Sequence, residues 1–248
     1  MSGHSKWHNI RLRKGKQDAE RGKIFTKLAR EIIVAAKAGG GNIDTNLRLR
    51  LAVQKARENS MPQDNIKRAI ERGSGTAEGV NYEEITYEGY GPGGAAVMVD
   101  CLTDNRNRTV PEIRHILGRC GGQLGESGCV AWNFDSKGVI TVPAEGLDED
   151  AVMLAALEAG AEDVRADPES FEVITAPSEV QSVREALETA GIKVAEAEQT
   201  MLPRTTVKLE GKEAQQMLRL MEHLEDHDDV QRVYANFDIS EEELEAAA

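Results

Sequence analysis

The sequence has few aromatic residues, few cysteines and no long apolar run. Aromatic side chains make up 4% of the 248 residues, so the cores must be built mainly from Ala, Val, Leu and Ile. The three cysteines, Cys101, Cys120 and Cys129, form no C-x-x-C pair, which argues against a disulfide framework and a zinc knuckle. No apolar run approaches the roughly 18 residues of a membrane span, and the first residues lack the apolar core of a signal peptide. These absences predict a protein of the reducing cytoplasm without membrane contact.

The two signs of charge are segregated along the chain. The net charge is −13, yet residues 1–72 carry 17 basic and 7 acidic side chains, a local net charge of +10. The other 176 residues hold 13 basic and 36 acidic side chains, a net charge of −23. A basic region concentrates polyanions and an acidic remainder repels them, so the pattern predicts nucleic-acid contact confined to one end.

The basic end has the periodicity of three helices. Between Asp18 and Ala38, apolar residues recur every three to four positions, and Gly39 to Gly41 end that helix. In the second helix, which Asp44 or Thr45 caps, Leu47 and Leu51 are expected to face inward with the stem of Lys55. A third helix follows Ser60 and Pro62 and stops at Gly73. We predict a basic helical domain at residues 1–75.

The period then changes to that of strands. Residues 80–135 contain a hairpin around a glycine-rich turn, a helix that ends near Cys120 and a strand at Cys129 to Phe134. Residues 136–203 follow a βαββαβ order, which resembles the ferredoxin-like arrangement. Residues 204–240 add a strand, a helix and a strand that complete the interrupted unit. The predicted fold is therefore α+β: an N-terminal three-helix domain and two ferredoxin-like domains, the third inserted within the second.

The opening segment, Gly3 to Lys16, combines one Trp, two His and five Lys or Arg without a strong apolar stripe. Its cations suit phosphate groups, while Trp7 suits either packing or base stacking. His4 and His8 have too few neighbouring ligands for a metal site. The predicted nucleic-acid contacts in residues 1–72 are Lys6, Arg11, Arg13, Lys14, Lys16, Arg21, Lys23, Lys27 and Arg30.

Two further motifs lie in the acidic part. In Asp104 to Thr109, turn and cap residues explain the polar side chains, but Arg106 and Arg108 are not needed for the turn. We predict that these two arginines form a second phosphate contact at a loop tip. The glycine-rich stretch Glu88 to Gly94 lacks the Lys-Ser or Lys-Thr of a phosphate loop, and a tight hairpin turn explains it better.

No arrangement of nucleophile, base and orienting group is visible. His115 and Cys120 are not aligned on their helix, and His223 and His227 lie at an acidic helix end. The sequence therefore predicts a protein that is not an enzyme and needs neither cofactor nor metal.

Several motifs in this order resemble the YebC family. They are Gly3 to Trp7, Arg21 to Lys27, Tyr87 to Gly94 and Asp104 to Thr109, and the resemblance covers essentially the whole chain. The resemblance implies a three-domain α and α+β protein described as a probable transcriptional regulatory protein that binds DNA. Mitochondrial relatives act as translational activators of cytochrome c oxidase, and bacterial members have been linked to ribosomes stalled on proline-rich sequences.

Three functions are compatible with the sequence. The first is a DNA-binding transcription regulator that uses the basic N-terminal domain. The second is a translation factor that binds the ribosome or structured RNA, and the third is a small-molecule-binding module built on the predicted ferredoxin-like domains. The chain is expected to be a monomer.

Overall fold

The computed structural model describes residues 17–75, 81–167, 169–240 and 243. Helices come first along this part of the chain, and strands mixed with helices follow. The α+β class is therefore confirmed. In the described ranges no helix has both the length and the apolarity needed to cross a membrane.

Three helices form the N-terminal unit: α1 (Gln17–Gly39), α2 (Leu47–Glu58) and α3 (Gln63–Ser74). Small and branched side chains from all three form one hydrophobic cluster. Within α2 the buried residues are Leu49, Ala52, Val53 and Ala56, whereas Leu47 and Leu51 are 62% and 57% exposed. The expected inward stripe of α2 is therefore wrong. Relative to this expectation the helix is rotated about its axis, so that Leu49 and Val53 face inward. The small residues Ala52 and Ala56 lie on the same buried face, and small side chains there allow α2 to pack closely on α1.

Asn46, and not Asp44 or Thr45, caps α2. Its side-chain oxygen accepts a hydrogen bond from the Leu49 amide, and its side-chain nitrogen donates to the Ala35 and Gly40 carbonyls, each at 2.8 Å. One buried side chain thus joins the end of α1 to the start of α2. The α2–α3 connection turns at Ser60, which adopts a left-handed φ of 59°.

The middle unit contains a four-stranded antiparallel sheet in the order β3-β1-β2-β9. The expected hairpin is confirmed, with Glu83 opposite Thr103 and Tyr90 opposite Ala96. One face of the sheet packs on two helices over the largest hydrophobic cluster of the described chain. The strands are β1 (Glu83–Tyr90), β2 (Ala96–Thr103), β3 (Gln123–Leu124) and β9 (Val230–Ala235), and the helices are α4 (Arg106–Arg119) and α7 (Gly211–Glu225).

Two features of this unit differ from expectation. The short strand β8 (Val207–Lys208) lies outside the main sheet and pairs in parallel with β10 (Phe237–Asp238). No strand runs from Cys129 to Phe134, because the Glu88 carboxylate accepts the amides of Val130 and Ala131 at 2.8 Å each. Amides held by a side chain are not available to a strand ladder.

The remaining strands form a second antiparallel sheet in the order β5-β6-β4-β7. For a βαββαβ unit this is the ferredoxin-like strand order. One face of the sheet packs on α5 and α6 around Ile140, Val173 and Leu187. The elements are β4 (Phe134–Pro143), α5 (Glu149–Glu158), β5 (Asp163–Ala166), β6 (Ser170–Thr175), α6 (Val180–Thr189) and β7 (Glu196–Pro203).

The two crossings between these units are tied together by Asn133, which is 2% exposed. Its side-chain oxygen accepts from the Thr205 amide and hydroxyl at 3.1 and 2.8 Å, and its side-chain nitrogen donates to the Thr205 carbonyl. Separate sheets and separate cores support the predicted division into residues 1–75, 80–135 with 204–240, and 136–203, which stays a proposal.

Candidate nucleic-acid interface

The basic face of α1 is turned toward the acidic turn that follows α7, residues Glu225 to Asp229. Lys23 forms an ion pair with Asp226 at 3.5 Å, and Lys27 donates to the Glu225 carbonyl at 2.6 Å. Arg30 donates to the Asp228 carbonyl at 2.5 Å and to the Asp229 carboxylate at 2.8 Å. Three predicted phosphate contacts therefore already have intramolecular acceptors.

Asp229 is the centre of this contact. It is 2% exposed and accepts hydrogen bonds from Arg30 through Oδ1 and from Arg108 and Thr109 through Oδ2, the last two at 2.7 and 2.8 Å. Burial by itself would raise the pKa of Asp229, but the Arg108 and Thr109 hydrogen bonds and the two guanidinium charges outweigh it. The net result is a lowered pKa, so Asp229 is held as a carboxylate.

Arg106 and Arg108 do not lie at a loop tip. They occupy the first turn of α4, because the Asn105 side chain accepts the Arg108 amide and starts the helix four residues earlier than a cap at Thr109 would. Arg108 forms ion pairs with Asp104 and Asp229. Arg106 is exposed and forms no hydrogen bond or ion pair within the described ranges. Of this predicted second contact, Arg106 alone is available to a phosphate.

The side chains of the other six predicted contacts lie outside the described part of the structure. Lys6, Arg11, Arg13, Lys14 and Lys16 precede the first described residue, and the side chain of Arg21 is also outside the described part.

The structure draws attention to cations that our sequence interpretation did not single out. They share α2 and α3, they are exposed, and they form no hydrogen bond or ion pair to any described residue. These residues are Lys55, Arg57, Lys67, Arg68 and Arg72. On α3 the separation is clear, because Ile66, Ala69 and Gly73 are buried while Lys67, Arg68 and Arg72 face solvent. The helical periodicity around Ile66 could have predicted this exposed face.

A cleft of about 770 Å³ separates α1 and α2 from the outer face of the middle sheet and from β7. Seven acidic and five basic side chains line it, so it repels a phosphate chain overall. Near its floor, the Arg232 guanidinium donates to the Gln199 carbonyl at 2.9 Å. Burial raises the pKa of the neighbouring Tyr234 to about 12, which keeps its hydroxyl protonated.

Neither metal binding nor a nucleophilic cysteine is well supported by the described residues. Glu112, His227 and Asp229 place potential metal ligands within 4.8 Å of one another. However, His227 contacts Glu112 at 2.9 Å, and the oxygens of Asp229 are bonded to two arginines whose charge opposes a cation. Burial raises the pKa of Cys101 to about 12, so this thiol is not a nucleophile at neutral pH.

The glycine-rich turn after β1 is a packing element. A Cβ on Gly91 would lie 2.9 Å from the Met217 sulfur on α7, and Gly93 has a left-handed φ of 64°. This close approach to α7 leaves no cradle for a phosphate.

Comparisons with known proteins agree along most of the chain. Residues 5–76 match the family model for the TACO1/YebC protein N-terminal domain, and residues 82–237 match the model for the TACO1/YebC second and third domain. A protein of Pelotomaculum thermopropionicum is 60% identical over 97% of this chain and all of its own length. Another from Natranaerobius thermophilus is 57% identical over 99% of both chains. Each is named "Probable transcriptional regulatory protein".

A solved structure shows the same fold. The crystal structure of a conserved hypothetical protein from Aquifex aeolicus is 48% identical, with a TM-score of 0.80 over 90% of this chain and 93% of that one. Together with the two family models, this places the chain in the TACO1/YebC family.

Proposed function

We propose that the protein is a transcriptional regulatory protein that binds DNA through its N-terminal helical unit. The observation that carries the proposal is the exposed face of α3, where Lys67, Arg68 and Arg72 have no partner within the described chain. Unpaired cations on one helix face neutralise phosphates and release counterions. The regulatory names of close relatives support the same role, and the role requires no catalytic step.

The arrangement of α2 and α3 favours duplex DNA. Four residues, Asn59 to Pro62, join the two helices, a length typical of a helix-turn-helix pair. Ser60 supplies the left-handed turn residue for which glycine is often used. In such pairs the second helix enters the major groove, so α3 is the proposed reading helix.

The proposal is tested by reversing two charges on α3. Lys67→Glu with Arg68→Glu should weaken binding to a promoter duplex more than tenfold and reduce the slope of log affinity against log salt by about 2. Fluorescence anisotropy across a salt series measures both quantities.

The matched control is Lys193→Glu with Lys212→Glu, since both lysines are exposed and unpartnered in the described structure but lie outside the helical unit. Equal losses in the two variants would show that total charge, and not α3, governs binding. Absence of duplex binding by the unaltered protein would refute the proposal.

A second candidate is a translation factor that binds the ribosome or structured RNA. It is favoured by the net charge of −23 on residues 73–248, which suits contact with basic ribosomal proteins while the N-terminal unit contacts RNA. Sedimentation with ribosomes distinguishes the two roles. Salt-sensitive co-sedimentation, together with equal affinity for promoter and random duplex, would favour translation over transcription.

Small-molecule binding is supported by the 770 Å³ cleft. A metabolite panel that produces no thermal shift would remove this candidate.

A further inference from the structure

The contact between α1 and the turn Glu225 to Asp229 is polar. Beyond α3, the N-terminal hydrophobic cluster includes one residue, the partly buried Tyr82, and the cluster beneath the middle sheet contains no residue of α1. The 770 Å³ cleft borders the contact, with Lys23, Lys27 and Asp226 among its lining. Salt and competing anions weaken the exposed Lys23–Asp226 pair, whereas they screen the buried Arg30–Asp229 pair much less.

The turn presents anionic groups much as a phosphate chain does. Lys23, Lys27 and Arg30 follow one another at four- and three-residue spacing along one face of α1. They meet the Asp226 carboxylate, the Glu225 carbonyl at the negative end of the α7 dipole, and the Asp229 carboxylate. The helix face that is predicted to bind phosphate is thus covered by an internal substitute for it.

Release of α1 would leave no unpaired buried charge at Asp229 in the middle unit. When Arg30 departs, Asp229 loses the partner of Oδ1 but keeps Arg108 and Thr109 at Oδ2. The acidic turn therefore does not become a buried unpaired charge, which is the usual cost of separating a buried ion pair.

We propose that α1 and the Glu225 to Asp229 turn form an autoinhibitory latch, which a nucleic-acid backbone opens by displacing the turn from Lys23, Lys27 and Arg30. This rests on the proposed function, and it adds a second binding element that is masked in the free protein. In the open state the phosphate contacts extend from α3 to α1. Apparent affinity is then reduced in proportion to the fraction of molecules that are closed.

The test is a double-mutant cycle on an exposed pair of the latch. Asp226→Asn weakens the latch and leaves every cation in place, so affinity for the duplex should rise about two- to fivefold. Lys23→Gln should cost more affinity in the Asp226→Asn background than in the unaltered protein, because Lys23 is then free to contact phosphate. Asp150→Asn, an exposed carboxylate on α5, is the control for the change in total charge.

The outcomes separate the latch from the proposed function. Increased affinity in Asp226→Asn, with coupling to Lys23 and no change in the control, supports the latch. Unchanged or reduced affinity in Asp226→Asn, while the α3 reversal still weakens binding more than tenfold, overturns the latch and leaves the function intact. Failure of both the unaltered protein and the α3 variant to bind overturns the function itself. Small-angle scattering with and without the duplex gives a second readout, since the latch predicts that α1 moves away from the middle unit on binding.

Discussion

Single arginines show how far residue chemistry can be predicted from sequence. A guanidinium in this chain was expected to pair with an oxyanion, and Arg30 and Arg108 both do so, on the carboxylate of Asp229. Phosphate and carboxylate attract the same group by the same physics. The partner could not be predicted because Asp229 lies 199 and 121 residues from the two arginines along the chain.

Asp229→Asn should lower the free energy of unfolding by about 2 to 3 kcal/mol at pH 7, because a buried carboxylate loses charge-assisted hydrogen bonds. The folded pKa of Asp229 lies below its unfolded value of roughly 3.9, so its contribution is complete above that pH. The contribution is lost as the pH falls through the folded pKa. Urea unfolding at pH 7 and at about pH 3 should therefore show a large difference between variant and unaltered protein that narrows in acid.

The neighbouring Asp228 provides the control, since its side chain is exposed and its backbone carbonyl alone contacts Arg30. Asp228→Asn should be nearly neutral at both pH values. A similar loss in both variants would contradict the assignment to Asp229.

At the scale of elements, α1 and α3 cross where both have small residues. A Cβ on Gly73 would lie 2.4 Å from the Ile33 carbonyl oxygen and 2.8 Å from the Ala36 Cβ. The sequence indicated Gly73 as the helix stop, but α3 continues to Ser74 with Gly75 as its C-cap, and Gly73 instead permits close helix packing. A stop and a close contact both favour glycine, so the residue type did not separate them.

Gly73→Ala should destabilise the protein by about 1 to 3 kcal/mol through overpacking against α1. Gly118→Ala is the matched control, because Gly118 lies in α4 with nothing within 4 Å of its Cβ position. That change should be neutral or stabilise by up to about 1 kcal/mol. Thermal and urea unfolding of the two variants measure the difference, and equal stability would contradict the proposed crossing.

The orientation of α2 shows where the helical pattern was ambiguous. Leu47 with Leu51 and Leu49 with Val53 both recur at four-residue spacing, on different faces of the helix. Ala52 and Ala56 lie beside Leu49 and Val53, so that face packs closely on its neighbours. Leu47 with Leu51 is the larger apolar pair. The face with Leu49 and Val53 is buried instead, because its small alanines allow α2 to pack closely on the neighbouring helices.

At the scale of the whole molecule, the attachment of the β4–β7 unit depends on a polar junction. Asn133→Ala removes three hydrogen bonds to Thr205 and should cost about 1 to 3 kcal/mol. In Asn133→Ala, amide exchange followed by mass spectrometry should show faster exchange at Arg204 and Thr205 than in the interior of β6.

The control is Asn59→Ala, which removes a single exposed hydrogen bond to the Lys55 carbonyl and should change stability by less than about 0.5 kcal/mol. Unchanged exchange at Thr205 would show that other contacts hold the junction.

The sequence by itself determined the class of fold, the hairpin, the order of the helices and of most strands, and the concentration of positive charge in residues 1–72. These properties depend on periodicity and composition, which are local or additive along the chain. The tertiary structure alone decided which cations have intramolecular partners. It brings residues 23–30 against residues 225–229 and leaves Lys67, Arg68 and Arg72 facing solvent. Availability of a charge depends on contacts between distant segments, and those contacts exist only after the chain has folded.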